Sequence, residues 1–179
     1  AELTQEIRQN LIVLDLSGCR KITTIGKFSN LEVLNLSQVP IPIDGIKEAL
    51  GQSLKKIYIG GHGGVWLRPV FEIYSLKEFN NCMQLEELYV DSCTLSDEGI
   101  EVLCEKVRAN LRVLSLTNCP GITKIGCYPN LERLTLTGIN ISIQELGAIN
   151  KQLEHLDIVN TGIVDFTQLF FPDLKELRA

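Results

Sequence analysis

The chain has few of the residues on which most catalytic and metal sites depend. Its 179 residues include two histidines, one tryptophan and one methionine, and none of its six cysteines forms a CxxC pair. Structural metal sites typically use closely spaced cysteines and histidines, so we predict no metal and no cofactor. No GxSxG nucleophile motif and no Walker-type phosphate loop is present, and we therefore expect a protein that is not an enzyme.

Excess basic charge and long apolar runs are also lacking. The formal net charge is −5, which does not favour binding to phosphate backbones or anionic lipids. The apolar runs are a few residues long, whereas a membrane-spanning helix needs about 20. We expect a soluble protein with no nucleic acid and no membrane among its partners. Because residue 1 is Ala, not Met, we also expect a fragment of a longer protein.

The cysteines indicate a compartment. They are distributed along the chain at Cys19, Cys82, Cys93, Cys104, Cys119 and Cys127. Disulfide frameworks and metal sites usually group cysteines in loops, whereas three of these recur at one place in a repeated motif. We interpret the six as buried thiols of an intracellular protein, cytoplasmic or nuclear.

A short motif recurs along nearly the whole chain. The pattern LxxLxLxxC, or a close variant, starts seven times, and an eighth copy begins at residue 174; the seven copies are LIVLDLSGC (11–19), LEVLNLSQV (31–39), LKKIYIGGH (54–62), LEELYVDSC (85–93), LRVLSLTNC (111–119), LERLTLTGI (131–139) and LEHLDIVNT (153–161). The alternation within LxxLxL predicts a strand with one buried face. No single copy buries its own leucines, so neighbouring copies must stack into a continuous core.

The motif resembles the leucine-rich repeat family. This resemblance implies an α/β solenoid of about seven to eight repeats, curved, with a parallel β-sheet on the concave face and mixed helices and turns on the convex face. Residues 1–179 would form a single leucine-rich repeat domain. The implied function is non-enzymatic protein–protein interaction, as a scaffold or adaptor that binds another protein. In this family a buried side chain at the ninth position, here Cys19, Cys93 or Cys119, satisfies backbone groups of the turn.

Two other functions remain open. The segments CRKIT and CPGIT resemble the cysteine-containing repeats of F-box-type ubiquitin adaptors, which implies a substrate-recognition role in a ubiquitin ligase. An RNA-associated module is the third alternative, as some relatives are, although the acidic charge does not favour it.

A second similarity within the chain links residues 10–37 to residues 110–137, which align without gaps at about half identity. We interpret these segments as two similar turns of one solenoid.

The segments between strands differ in length and in predicted structure. SDEGIEVLCEKVRAN (96–110) predicts one amphipathic helix with Ser96 as its N-cap and with Ile100, Leu103, Cys104 and Val107 on one face. Residues 142–152 predict a helix with Ser142 and Glu145 at capping-box spacing, and residues 43–52 predict a shorter helix capped by Asp44. The shortest repeats leave too little chain for a helix and should return through turns or a short 3₁₀ piece.

The glycine-rich stretch GGHGGVW (60–66) lies in the longest repeat and has two interpretations. In the first, Trp66 folds back and covers the core of a widened repeat. In the second, a loop spanning Gly60–Arg68 projects past the sheet and presents Trp66, Arg68 and His62 to a partner, since Trp and Arg are enriched at binding hot spots.

The motif register places other candidate partner-binding residues on the concave face. Adjacent parallel strands lie about 4.8 Å apart, so Tyr58 should stand beside Tyr89 and Lys56 beside Glu87. A second polar patch should combine Arg133, His155 and Asp157. At the C-terminal end, FTQLFFPDL (166–174) is strongly apolar. We predict that further repeats or another chain cover this end, because solenoid ends need a polar cap.

Overall fold

One parallel sheet runs through the molecule. A computed structural model describes residues 3–61, 72–149 and 151–179. Its eight strands lie side by side in chain order, namely β1 (Val13–Asp15), β2 (Val33–Ser37), β3 (Lys56–Gly60), β4 (Glu87–Asp91), β5 (Val113–Ser115), β6 (Arg133–Thr135), β7 (His155–Asp157) and β8 (Glu176–Arg178). This single sheet is the α/β repeat architecture that the motif predicts.

Short helices lie in the segments that connect the strands. They are α1 (Gln5–Asn10), α2 (Ile43–Ile46), α3 (Asp97–Glu101), α4 (Glu105–Asn110) and α5 (Ile143–Gly147), together with a 3₁₀ helix at Lys77–Asn81. The short return segments at 20–30 and 120–130 contain no helix, as predicted. No helix within the described residues has the length and apolar character to cross a membrane.

The strand register predicted from the motif is confirmed. Equivalent positions of successive motifs pair directly, for example Tyr58 with Tyr89 and Val113 with Arg133. Burial alternates along the strands, so in β2 Leu34 and Leu36 are fully buried while their neighbours are half exposed. The motif leucines therefore form the core, and the alternate side chains point to the other side of the sheet.

The predicted single helix at 96–110 is wrong. Ser96 does cap its start, accepting a hydrogen bond from the Gly99 N–H, but the segment breaks into α3 and α4. Cys104 between them has extended backbone (φ −66°, ψ 154°). The reason is a side chain from the preceding repeat: Asn80 accepts from the N–H of Cys104 at 2.7 Å and donates to the carbonyl of Val102 at 2.9 Å. These bonds replace helical ones.

Two other helix predictions need correction, and one helix was missed. At 43–52 the helix covers only Ile43–Ile46, and its cap position is Pro42, not Asp44. At 142–152 the Ser142 hydroxyl accepts from Glu145 N as predicted, but α5 ends at Gly147. Helix α1 was not among the predicted helices. Its signal was available, because α1 and α4 lie 100 residues apart, the same offset that relates 10–37 to 110–137.

The ninth-position cysteines do not all behave as predicted. Cys93 and Cys119 are fully buried, and the Cys119 thiol donates to the carbonyl of Val90 at 3.1 Å, so it satisfies turn backbone as expected. Cys19, in contrast, is exposed, because it belongs to the first repeat, where no described repeat packs on the outer side. Cys127 is also exposed and Cys104 is only partly buried, so the prediction of six buried thiols is wrong for these three.

Candidate functional site

One side of the sheet carries strand residues that are half-buried or exposed, apart from the buried Ser115 and Gly60, and we call it the open face. It consists of the third, fifth and seventh positions of the motifs. Third-position residues are Val13, Val33, Lys56, Glu87, Val113, Arg133, His155 and Glu176; fifth-position residues are Asp15, Asn35, Tyr58, Tyr89, Ser115, Thr135, Asp157 and Arg178. Seven strand pairings hold these side chains at fixed spacing.

Two tyrosines stack near the middle of the open face. The ring centroids of Tyr58 and Tyr89 lie 4.4 Å apart with 12° between the ring planes, so the predicted adjacency is confirmed. Both residues are half-buried. Since the rings face each other across neighbouring strands, their outer faces turn towards Asn35 on β2 and Ser115 on β5. Each tyrosine offers an apolar ring and a polar hydroxyl to a binding partner.

An ion pair and a hydrogen bond fix this tyrosine pair. Lys56 Nζ lies 2.5 Å from Glu87 Oε1, and the Tyr89 hydroxyl donates to Glu87 Oε2 at 3.2 Å. The hydrogen bond to Glu87 raises the pKa of Lys56. Burial raises the pKa of Tyr89, and the charge of Glu87 raises it further, so the hydroxyl stays protonated. The four predicted residues form one ordered patch.

A depression opens beside the tyrosines at the carboxyl ends of the strands. Its volume is about 320 Å³, and it is lined by Asn35, Ser37, Tyr58, Ile59, Gly60, Gly61, Tyr89 and Asp91. Gly60 has a φ of +108°, and a Cβ there would lie 1.8 Å from the carbonyl oxygen of Asp91. Only glycine fits this position, because the two strand ends approach so closely.

Asp91 and Asp15 are acidic residues of this face that the sequence reasoning did not single out. Asp91 accepts from the Ser115 hydroxyl at 2.7 Å and from the Thr117 N–H at 3.0 Å. Asp15 accepts from the Ser17 N–H at 2.8 Å. For Asp15 the available signal was the serine two residues later, a pattern that favours this turn. Asp91 is followed at that distance by Cys93 and carries no such signal.

The second predicted patch is present at the other end of the face. A shallow cavity of about 80 Å³ is lined by Arg133, His155, Asp157, Glu176 and Arg178 with their neighbours. His155 Nδ1 lies 3.0 Å from Glu176 Oε2, and Arg178 lies 3.5 Å from Asp157. The structure therefore brings Arg133, His155 and Asp157 together, and adds two residues of β8.

Three predicted contact residues, His62, Trp66 and Arg68, lie outside the described residues, as does most of the Gly60–Arg68 loop. Both interpretations of Trp66 therefore remain predictions. In the described part of the chain, no three metal-binding side chains come together. Burial raises the pKa of the Cys82 thiol to about 12, which makes it a poor nucleophile at neutral pH.

The repeat that carries Glu87 and Tyr89 also matches a known family. A family model described as leucine-rich repeat matches residues 81–104, which include β4, the Cys93 turn and α3. These residues form a leucine-rich repeat. The resemblance seen in the motif is thereby confirmed at the level of the superfamily. A comparison with curated proteins found no match.

The matched family has a general function. Leucine-rich repeat domains generally mediate protein–protein interaction, and their repeats are typically non-enzymatic. Their partners are usually other proteins. The stacked tyrosines, the fixed ion pair and the depression are the features of the described open face on which such a contact would depend.

Proposed function

We propose that this chain is a protein-binding scaffold or adaptor, a curved solenoid of eight leucine-rich repeats that holds a partner on the concave side of its sheet. The observation that carries the proposal is the stacked pair Tyr58–Tyr89, half-buried on an uncovered face. Tyrosine is enriched at binding hot spots because it contributes apolar area and a hydrogen bond while losing little conformational entropy.

The contact extends from this pair in both directions. Lys56 and Glu87 border it on the N-terminal side of the strands. We propose that His62, Trp66 and Arg68 of the Gly60–Arg68 segment also take part in binding the partner. The patch around Arg133 and His155 forms a second, more polar contact. We place the protein inside the cell, in the cytoplasm or nucleus, which the six free thiols support.

Affinity purification of the tagged protein from cells, followed by mass spectrometry, tests the proposal. Substituting both tyrosines (Tyr58→Ala with Tyr89→Ala) should reduce the amount of bound partner at least tenfold, because hot-spot truncations cost about 2 kcal/mol or more. Trp66→Ala should also reduce it if the loop takes part. Recovery of ubiquitin-ligase subunits with the wild-type protein would assign the adaptor to that system.

A matched control separates contact from folding. Tyr74 lies outside the strands, before the 3₁₀ helix, and is 61% exposed, so Tyr74→Ala should leave partner recovery unchanged. All variants are compared by urea unfolding. If the double tyrosine variant is folded and retains its partners at wild-type level, the proposed contact surface is wrong.

A further inference from the structure

One arginine on the described open face has no partner. Lysine and arginine occur there at Lys56, Arg133 and Arg178. Lys56 Nζ lies 2.5 Å from Glu87 Oε1, and Arg178 lies 3.5 Å from Asp157. Arg133 is exposed, and its guanidinium forms no ion pair or hydrogen bond with another described residue. Of these three cations, it is therefore the one whose charge no carboxylate offsets.

The sheet fixes where Arg133 stands. Its strand β6 is paired on both sides, which places Val113 of β5 and His155 of β7 beside it in register. Val113 is half-buried, and His155 Nδ1 lies 3.0 Å from Glu176 Oε2. Neither neighbour carries a negative charge, so the guanidinium stays available to an anionic group of another molecule.

The surroundings of Arg133 favour a carboxylate as that group. A guanidinium presents parallel N–H donors that match the two oxygens of a carboxylate. A phosphate also matches them, but Asp157 and Glu176 line the same cavity, and they would repel its nearly double charge more strongly than a single charge. The formal net charge of −5 acts in the same direction. A glutamate or aspartate side chain is thus the anion that fits best.

Apolar surface lies beside Arg133 on the side of the tyrosines. Val113 is one strand away and Tyr89 two strands away, distances of about 5 and 10 Å. In an extended segment, residues i and i+2 point to the same side and lie about 7 Å apart. A segment that crosses the strands with residue i at Arg133 would therefore hold its i+2 side chain between Val113 and Tyr89, where an apolar side chain fits.

Building on the proposed function, we propose that the partner crosses β4–β6 as an extended segment, with an acidic side chain paired to Arg133 and, two residues along, an apolar side chain packed against Val113 and Tyr89. This segment joins the tyrosine pair and the patch around Arg133 and His155 into one contact. Arg133 contributes specificity, because a partner without the acidic residue would cover the guanidinium and leave its charge unpaired.

A peptide titration followed by NMR tests this inference. The probe is the end-blocked peptide Gly-Ser-Glu-Ser-Leu-Ser-Gly, added to the ¹⁵N-labelled chain at low salt. Amide shifts should cluster on β4–β6. Replacing the glutamate of the peptide by glutamine should weaken binding about two- to fivefold, as expected for an exposed charge pair. This difference in affinity should shrink as the salt concentration increases.

The variant Arg133→Gln gives the decisive comparison. It should bind the glutamate peptide about two- to fivefold more weakly than wild type does. It should also bind the glutamate and glutamine peptides equally, because both changes remove the same contact. Arg20→Gln is the matched control. Arg20 is exposed in the first return segment, so this substitution changes the net charge equally and should leave the preference for the glutamate peptide intact.

Several outcomes would overturn the inference. They are absence of binding at millimolar peptide, equal binding of the glutamate and glutamine peptides to wild type, and amide shifts confined to strands other than β4–β6. A peptide with phosphoserine in place of glutamate provides a further comparison. If it bound more tightly than the glutamate peptide, Arg133 would be a phosphate contact, and the proposed carboxylate would be wrong.

Failure of this inference differs from failure of the proposed function. If cellular partners depend on Tyr58 and Tyr89 but are retained by Arg133→Gln, and the glutamate peptide does not bind, the partner's chemistry is wrong and the binding surface is right. If the double tyrosine variant retains its partners, the surface itself is wrong, whatever the peptide does.

Discussion

At the scale of single residues, two glycines allow neighbouring repeats to pack closely, because a side chain at either position would overlap the adjacent backbone. Gly45 in α2 and Gly99 in α3 both lie against the backbone of the preceding repeat, where a Cβ would come within 2.3 Å of the Thr23 carbonyl and 2.1 Å of the Tyr74 carbonyl, respectively. The Leu76 N–H donates to the Gly99 carbonyl at 2.8 Å. This contact is part of what joins one repeat to the next.

Replacing Gly99 by alanine should therefore destabilise the protein. The added methyl group would overlap the Tyr74 carbonyl, which cannot move away because its repeat is packed. Overpacking of this kind lowers the free energy of unfolding by about 1–3 kcal/mol. Gly147, at the end of α5, has no atom within 4 Å of the equivalent position, so Gly147→Ala should be neutral or stabilising by up to about 1 kcal/mol. Urea unfolding measures both, and equal effects would contradict the packing argument.

The motif register predicted correctly where single side chains lie on the sheet, but it did not predict burial or contacts that depend on another repeat. Tyr58 and Tyr89 came together because the register alone determines their spacing. Cys19 was misjudged because burial at the ninth position depends on the adjoining repeat, and within the described residues no repeat packs on the outer side of the first motif. Asp91 was overlooked because its contacts join residues 24 and 26 positions apart.

At the scale of elements, a side chain from the preceding repeat decides where α3 ends. Asn80 interrupts the helix predicted at 96–110 by bonding to Val102 and Cys104. The 3.6-residue periodicity of that segment is real, since Ile100, Leu103 and Val107 are all buried. The break could not be predicted because the competing hydrogen bonds come from residues more than 20 positions earlier.

Asp97, the first residue of α3, links its helix to the next repeat. Its carboxylate accepts from the N–H groups of Thr123 and Lys124 at 2.7 and 2.9 Å and from the Thr123 hydroxyl at 2.6 Å. Burial acts to raise the pKa of Asp97, but these hydrogen bonds outweigh it and the pKa is lowered. The linkage therefore depends on the ionised carboxylate.

This linkage predicts a pH-dependent stability. Because the pKa of Asp97 is lower in the folded state, its stabilisation is complete above the ordinary aspartate value of 3.8 and is lost as the pH falls through the folded pKa. At pH 7, Asp97→Asn should lower the free energy of unfolding by about 1–3 kcal/mol.

The difference in the free energy of unfolding between wild type and Asp97→Asn should narrow as the pH falls below 3.8. Asp44→Asn serves as the control, because the Asp44 side chain is 84% exposed and its loss should cost less than about 0.5 kcal/mol. Denaturant titrations between pH 7 and pH 2 measure these differences. If the free energies of unfolding of wild type and Asp97→Asn differed by the same amount at every pH, the linkage would not depend on the ionised carboxylate.

At the scale of the whole molecule, burial decreases from the middle of the sheet to its ends. The motif leucine of β5, Leu114, is fully buried, whereas its counterpart in β8, Leu177, is 43% exposed. Phe170 and Val164, in the segment before β8, are also exposed. The prediction that further repeats or another chain cover this end remains open, as does the single-domain assignment.

Equivalent substitutions should therefore differ in cost along the chain. Leu114→Ala creates a cavity in the closed core and should lower the free energy of unfolding by about 2–5 kcal/mol. Leu177→Ala removes a side chain that is already partly in water, and should cost less than about 1 kcal/mol. Urea unfolding of the two variants compares them directly. Similar losses would mean that β8 is covered in solution.

The order of the strands has a further consequence for folding and for changes in chain length. Every pairing in the sheet joins residues only 20 to 31 positions apart, so closing each loop costs a similar and modest entropy. No pairing must wait for a distant part of the chain, and ordering can start at any adjacent pair and spread outwards. For the same reason, inserting a whole repeat breaks one existing strand pairing and deleting an internal repeat removes two, while all other pairings are kept.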